Sequence, residues 1–466
     1  MGRATTAEAA LAEFKSERDI VPLTPTNPGA ALFWLSVGLT GIGAGCAAAA
    51  LTLLLEAVQL LAWGPGELLD AAARSGAWRR VLILLGAGLA TGVGQLVLVR
   101  LSSAASIDIT EAIWFSAGRL PALRTLGSAV LSVIIVALGA SLGREGAPKQ
   151  AGAVIANALS DRGRLPDEQR RLLVACGAGA GMAAAYGVPL GGALFALEVL
   201  RGTLSLRLVL PALLTSVIAT AVAWLALPNA PTYPIPAFPT SASIVVWSLL
   251  AGPVAGVVSL LFVRAIAWAD RNRPRGWRRV AAPVLVLGLL GLVAIPFPQL
   301  LGNGRDVSWL AFSGRLAPVL LLVLVVLRPL ATTACLASGA PGGLFTPSLT
   351  LGALLGGVLG YAWTWMWPGT PAGAFAVVGA AAVLAATTQG PLSAVVLMME
   401  LTGRDRPLVV PILLAVATAT LTARAIEPRS IYEARLNDAE VRARLRGREP
   451  RSAHSVSEGA RPTPPQ

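Results

Sequence analysis

Residues 174–202, VACGAGAGMAAAYGVPLGGALFALEVLRG, and residues 376–403, AVVGAAAVLAATTQGPLSAVVLMMELTG, are two copies of one pattern. Gly177 lies twelve positions before Pro189, and Gly379 lies twelve before Pro391. Pro189 then lies nine before Glu198, as Pro391 does before Glu400. Small-residue helices can mimic one another, but a Gly, a Pro and a Glu at the same ungapped spacing mark an internal duplication. Upstream of each copy is a Gly-rich break: Gly143-Arg144-Glu145-Gly146 in the first half and Gly343-Leu344-Phe345-Thr346 in the second.

The surroundings of these breaks are membrane-grade. The 466 residues are 55% hydrophobic and 13% charged, against about a quarter charged in a soluble protein. Apolar stretches recur along the chain, among them Ala31–Trp63, Val81–Leu101, Leu126–Leu142, Leu206–Leu227, Ile244–Trp268, Leu316–Leu336 and Leu408–Ala423. Several reach the roughly 20 residues that span a bilayer, while others are short or interrupted by Gly and Pro. The expected class is an all-α polytopic membrane protein built from two inverted repeats of broken and tilted helices. Residues 1–30 form an N-terminal segment, 31–227 the first repeat and 228–243 a proline-rich connector. Residues 244–427 form the second repeat, and 428–466 a C-terminal helix and polar tail. Paired broken helices at corresponding positions place a binding site at the repeat interface near the midplane, because irregular backbone at that depth is tolerated only where it is buried or lines a cavity.

Glu145 is the residue that the breaks single out. A carboxylate at bilayer depth costs about 2.5–3.5 kcal/mol on insertion scales, and such residues mark function. Glycines open a helix there, and a helix N-terminus offers free N–H groups and a positive dipole end to an anion. Glu145 is itself an anion, so it can occupy such a site and yield it to a mobile one. The structural alternative is an ion pair between Arg144 and Glu145.

The net charge of +13 does not point to nucleic acid, because the arginines cluster in loops and in the tail. Arg271, Arg273, Arg275, Arg278 and Arg279 share one short polar segment, which the positive-inside rule puts in the cytoplasm. The uncharged connector Pro228–Ser243 then lies on the other side, both termini are expected in the cytoplasm, and the setting is the plasma membrane. The first thirty residues have no signal-type apolar core. Cys46, Cys176 and Cys335 lie in separate apolar runs, without metal or disulfide spacing. The sole histidine, His454, lies in the tail, and no aspartate pair sits in the apolar core. That argues against intramembrane hydrolysis, and neither metal nor cofactor is expected. A cation carrier would use Glu145, Glu198 and Glu400, but Phe345 and the Gly-rich helix starts favour an anion.

These residues resemble the CLC family of chloride channels and chloride/proton antiporters. Gly143-Arg144-Glu145-Gly146 resembles its Gly-Arg-Glu-Gly-Pro motif, and Ser338-Gly339-Ala340-Pro341-Gly342-Gly343-Leu344-Phe345-Thr346-Pro347 resembles its second-half Gly-rich motif. Ala183–Glu198, with Pro189, Leu190 and Phe195, is similar to the helix at the family's dimer interface. Tyr432 stands where the family has a pore tyrosine, at the start of its last helix. The likeness runs from about residue 31 to 445. It implies a homodimer in the lipid bilayer, each subunit having its own chloride pathway and about eighteen helices. Glu145 becomes the gating glutamate. Anion contacts are implied for Ser106, Arg144, Gly146, Gly343, the backbone N–H groups of Leu344 and Phe345, and the Tyr432 hydroxyl. Proton-coupled exchange is the implied activity; a passive chloride channel, or a carrier of another anion such as fluoride, is the alternative.

Three departures from the family pattern stand out. Its Gly-Ser-Gly-Ile-Pro motif appears only as Ala104-Ala105-Ser106-Ile107-Asp108, so Ser106 is the nearest hydroxyl and Asp108 replaces the proline. Asp108 has capping-box spacing to Glu111; otherwise its charge opposes a nearby anion. The motif proline is displaced to Pro148, and Lys149 follows. Lys149 either raises the local positive potential or, as the default for a lysine there, snorkels to water. The internal proton-transfer glutamate of the antiporters is replaced by Val199, which leaves Glu198 with a structural role. The polar tail is too short for the paired regulatory domains of some members and reads as disordered.

Overall fold

The computed structural model describes residues 21–22, 28–102, 107–403 and 407–436. Ser106, most of the N-terminal segment and the tail beyond Leu436 lie outside the described residues. The first half contains α1 (Pro28–Trp63), α2 (Leu68–Arg74), α3 (Ala77–Leu101), α4 (Ile109–Phe115), α5 (Ala122–Ala137), α6 (Gly146–Arg162), α7 (Asp167–Tyr186), α8 (Pro189–Leu194) and α9 (Leu206–Ala223). The second contains α10 (Ala242–Arg271), α11 (Arg278–Val293), α12 (Arg305–Phe312), α13 (Pro318–Ala337), α14 (Phe345–Thr364), α15 (Ala372–Thr388), α16 (Pro391–Thr402) and α17 (Val409–Ile426). Among the described residues, 7 helical segments are long and apolar enough to cross a membrane. Their outward faces carry leucines and valines such as Leu35, Leu82, Leu249, Leu261 and Leu322, all exposed, as a lipid-facing wall requires.

The duplication governs the packing. The contact of α1 with α9 is repeated by α10 with α17, that of α6 with α7 by α14 with α15, and that of α5 with α6 by α13 with α14. The halves join where α3 meets α11 and where α8 meets α16. They also touch at one isolated antiparallel bridge, in which Gly143 and Gly343 exchange N–H···O hydrogen bonds of 2.8 Å each way. Opposite chain directions at equivalent positions are what inverted repeats demand.

Helices α7 and α15 form the centre. Every residue from Gly373 to Thr388 in α15 is buried, and so is nearly all of α7. A helix that is apolar on every side is stable only when enclosed. Small residues let the backbones come together: Gly152 faces Gly177, and Gly352 faces Gly379, so closely that a Cβ on either member would overlap the opposite backbone. Close approach through small residues is how helices associate where lipid competes equally for apolar surface.

Ala183–Glu198 is not one helix. Helix α7 ends at Gly187, which adopts φ +69°, and α15 ends at Gln389 with φ +58°. Pro189 and Pro391 then begin the short helices α8 and α16. A left-handed residue stops a helix, and a proline suits the first turn of the next. Beyond α8 the chain continues as a π-helical turn, Phe195–Arg201.

The nine-residue spacing between Pro and Glu has its reason in the other half. Glu400 accepts hydrogen bonds from the backbone N–H groups of Leu190 (3.0 Å) and Gly191 (2.7 Å) at the start of α8. Glu198 does the same for Leu392 (3.1 Å) and Ser393 (2.6 Å) at the start of α16. Each repeat therefore caps the other with a carboxylate at the positive end of a helix. Removing either side chain strands two N–H donors, so Glu198→Ala and Glu400→Ala should each cost about 2 kcal/mol. The check is thermal unfolding of the detergent-solubilised protein, followed by size-exclusion recovery; unchanged recovery curves would mean the caps contribute nothing to stability.

Candidate functional site

The Gly143–Gly343 bridge sits at the point where the two breaks cross, and Glu145 lies directly beside it. The carboxylate has no exposed surface. Its own helix, α6, begins one residue later, but Glu145 makes no cap bond to it. Instead it crosses to the start of α14 in the other half. Oε1 accepts from the Phe345 N–H at 2.7 Å, and Oε2 accepts from the Thr346 hydroxyl at 3.0 Å. The Tyr186 hydroxyl also donates to Oε2 at 3.3 Å and lies 2.8 Å from the Thr346 hydroxyl. A backbone N–H and two neutral hydroxyls thus cradle the carboxylate at the positive end of a helix. A Cβ on Gly143 or Gly343 would overlap the Glu145 carboxylate, so glycine at both positions is a condition of the cradle.

Arg144 does not form the ion pair that its position suggests. Its guanidinium lies 5.0 Å from the centre of the Tyr186 ring, and the carboxylate's partners are those just named. Successive residues leaving a helix start point in different directions, and here they diverge to the tyrosine face and to α14. Phe345 opens the opposing helix and Leu344 flanks its start; of these two it is the Phe345 N–H that meets the carboxylate, and Gly146 packs against the Gly343 backbone.

Tyr432 is brought in from the end of the chain and starts a 3-10 turn, Glu433–Arg435. The helix expected after it lies largely outside the described residues. Phe195 and Tyr432 meet edge to face at 5.9 Å between ring centres, and Phe195 and Phe345 at 6.5 Å. Phe195, which the sequence suggested as part of an interface helix, therefore packs inward against the site. Lys149 does not snorkel: it is 5% exposed, with its ammonium held over the rings of Phe195 and Tyr432. Asp108 caps α4 by accepting from the Thr110 N–H at 2.9 Å. It also pairs with Arg435 at 3.5 Å, so its charge is compensated.

Two cavities approach this centre from opposite ends. One is lined by Asp108, Gly146, Lys149, Gly343, Tyr432 and Arg435, beside the arginine-rich segment that follows α10. The other is lined by Glu56, Arg144, Tyr186, Gly187, Thr232 and Arg305, beside the inter-repeat connector that precedes α10. The 30 residues of α10, about 45 Å of helix, separate those two faces. Glu145 stands between them with no solvent contact. Tyr186 and Thr346 escaped the sequence reading of the site. Tyr186 had one signal, a polar residue just before a break, at the end of a run (Ala175–Ala185) made of small residues apart from Met182.

The comparisons with known proteins agree with this architecture. The family model described as voltage gated chloride channel matches residues 95–424. A voltage-gated ClC-type chloride channel, ClcB, of Citrobacter koseri is 33% identical over 382 residues, covering 79% of this chain and 89% of its own. An H(+)/Cl(-) exchange transporter, ClcA, of Cronobacter sakazakii is 32% identical over 338 residues, covering 66% of this chain and 70% of its own. In fold, the crystal structure of a slow cyanobacterial Cl-/H+ antiporter superposes with a TM-score of 0.76 at 22% identity, covering 90% of this chain and 99% of that one. Extent, identity and fold together establish that the chain belongs to the family of voltage-gated chloride channels, the CLC family.

Proposed function

We propose that the protein carries chloride or a similarly small anion across the membrane, as a chloride/proton antiporter gated by Glu145. The observation that carries this reading is the fully buried Glu145 carboxylate held by the Phe345 N–H and the Thr346 and Tyr186 hydroxyls. Those donors are neutral and turned toward negative charge, so a halide can replace the carboxylate without being trapped as it would be by a strong fixed charge. Protonation removes the reason for Glu145 to stay, and the freed donors then take the mobile anion. One side chain thus serves as a competitor for the anion site and as a proton carrier. The relatives named as a chloride channel and as a proton/chloride exchanger support the ion, and the retained glutamate supports the coupling.

One observation favours the alternative of a passive channel. Val199 is buried and cannot carry a proton, and the adjacent Glu198 is committed to capping α16. Coupled exchange would then need water, or another side chain, to deliver protons from the arginine-rich face. We place that face in the cytoplasm of a plasma-membrane protein, by the positive-inside rule. We also expect a homodimer. Exposed apolar residues at equivalent positions, Leu190 with Leu392 and Leu210 with Val410, give each half a matching contribution to one contact surface.

Glu145→Gln should abolish the response of anion efflux from proteoliposomes to external pH and stop proton movement. Persistence of that response in a folded variant would reduce Glu145 to a structural ligand. Gly343→Val should displace the carboxylate and distort the α14 start, weakening halide binding about tenfold, or about 1.4 kcal/mol; calorimetric titration reads this directly. Coupling itself is decided by reversal potentials measured under chloride and pH gradients imposed separately. An exchanger's reversal shifts with both gradients, whereas a channel's follows chloride alone.

A further inference from the structure

Lys149 lies in the first turn of α6, three residues after Gly146, and is 5% exposed. Its ammonium donates to the Tyr432 hydroxyl at 3.4 Å, 4.8 Å from the centre of that ring and 5.1 Å from the centre of the Phe195 ring. An ammonium has three donors, and among the described residues one hydroxyl is its hydrogen-bond partner. The nearby carboxylates are committed elsewhere, Glu111 on the same cavity wall among them. Asp108 holds Thr110 and Arg435, Asp270 holds Arg273 and Arg435, and Glu145 is filled by its cradle. Ring faces attract a cation, but they do not neutralise it; Glu145, whose cradle donors are neutral, opposes the charge only from beyond ion-pair distance, and a buried charge without a paired ion is expensive. A directly paired counterion has room in the adjoining cavity, which Lys149, Tyr432 and Gly343 line together.

We propose that the transported anion is itself the counterion of Lys149, whose ammonium and the Tyr432 hydroxyl form a charged inner site for a small monovalent anion. The proposal rests on the anion-transport reading and adds a fixed cation to a pathway otherwise built from neutral donors. A fixed cation deepens the well from which the ion must escape. Lys149 therefore sets affinity against speed: tighter binding from the inner cavity and slower release.

The test compares the full-length protein with Lys149→Met, which keeps the stem and loses the charge, and with Lys149→Arg, which keeps the charge. Calorimetric titration with sodium bromide, at constant ionic strength with gluconate, should show the Kd of Lys149→Met raised at least tenfold. The Lys149→Arg value should stay within about threefold of the parent's. In proteoliposomes, maximal efflux by Lys149→Met should rise, which a merely structural lysine would not produce. A bromide-soaked crystal of the unsubstituted protein, which depends on no variant folding, should show anomalous density within about 4 Å of Nζ, a charge-pair distance. Unchanged affinity in a folded Lys149→Met, or bromide elsewhere along the pathway with none at Lys149, overturns the proposal and leaves anion transport standing. An unsubstituted protein that neither binds nor moves halide would sink the transport reading as well.

Discussion

The contact on which the rest depends is the one between Gly143 and Gly343. Two backbones running in opposite directions meet there without side chains, and their two hydrogen bonds satisfy the amides of two buried glycines. Broken helices inside a membrane are stable only if the groups released at each break are satisfied locally. The bridge does this for both breaks at once, since each break supplies the partner for the other. Bulk at either glycine would occupy the space taken by the Glu145 carboxylate. The structural joint and the candidate site therefore place the same demand on the same atoms.

Reciprocity recurs throughout the molecule. Glu145 from the first half binds the start of α14 in the second. Glu198 and Glu400 exchange caps across the same interface, at the starts of α16 and α8. In each case an acidic side chain answers helix N–H groups in the other repeat. The environments differ, and so do the consequences. The caps lie at partly exposed positions on short helices and fasten the halves together. Glu145 lies fully enclosed between two cavities, where the same chemistry holds the carboxylate that we propose a mobile anion replaces. The same interaction makes a half-exposed joint in one place and an enclosed cradle in another, according to what surrounds it.

The balance of charge follows the same logic. Asp108, foreign to the family motif it occupies, is offset by Arg435, which also reaches Asp270. That leaves the inner cavity with charges of both signs on its wall, while Lys149, deeper and ringed by Phe195 and Tyr432, is a cation without an ion partner among the described residues. Substituted positions are best interpreted with their neighbours: Asp108 is offset because Arg435 comes from the far end of the chain.

Much of this was legible in the sequence. Hydropathy identified the membrane class, because repeated apolar runs of about twenty residues match the thickness of a bilayer. The equal spacing of Gly, Pro and Glu in residues 174–202 and 376–403 identified the repeats, and the charge in an apolar setting identified Glu145. The structural duty of Glu198 was also legible, though not what it holds. Tertiary structure alone decided the partners. Tyr186 and Thr346 join Glu145 across 41 and 201 positions of chain, Arg144 turns away from the carboxylate beside it, and Lys149 is buried instead of snorkelling. Local pattern records the period and cost of a residue, both set by its immediate neighbours and its solvent. Which donor meets which acceptor depends on how two inverted halves cross, and that is fixed by close backbone packing between segments far apart in sequence.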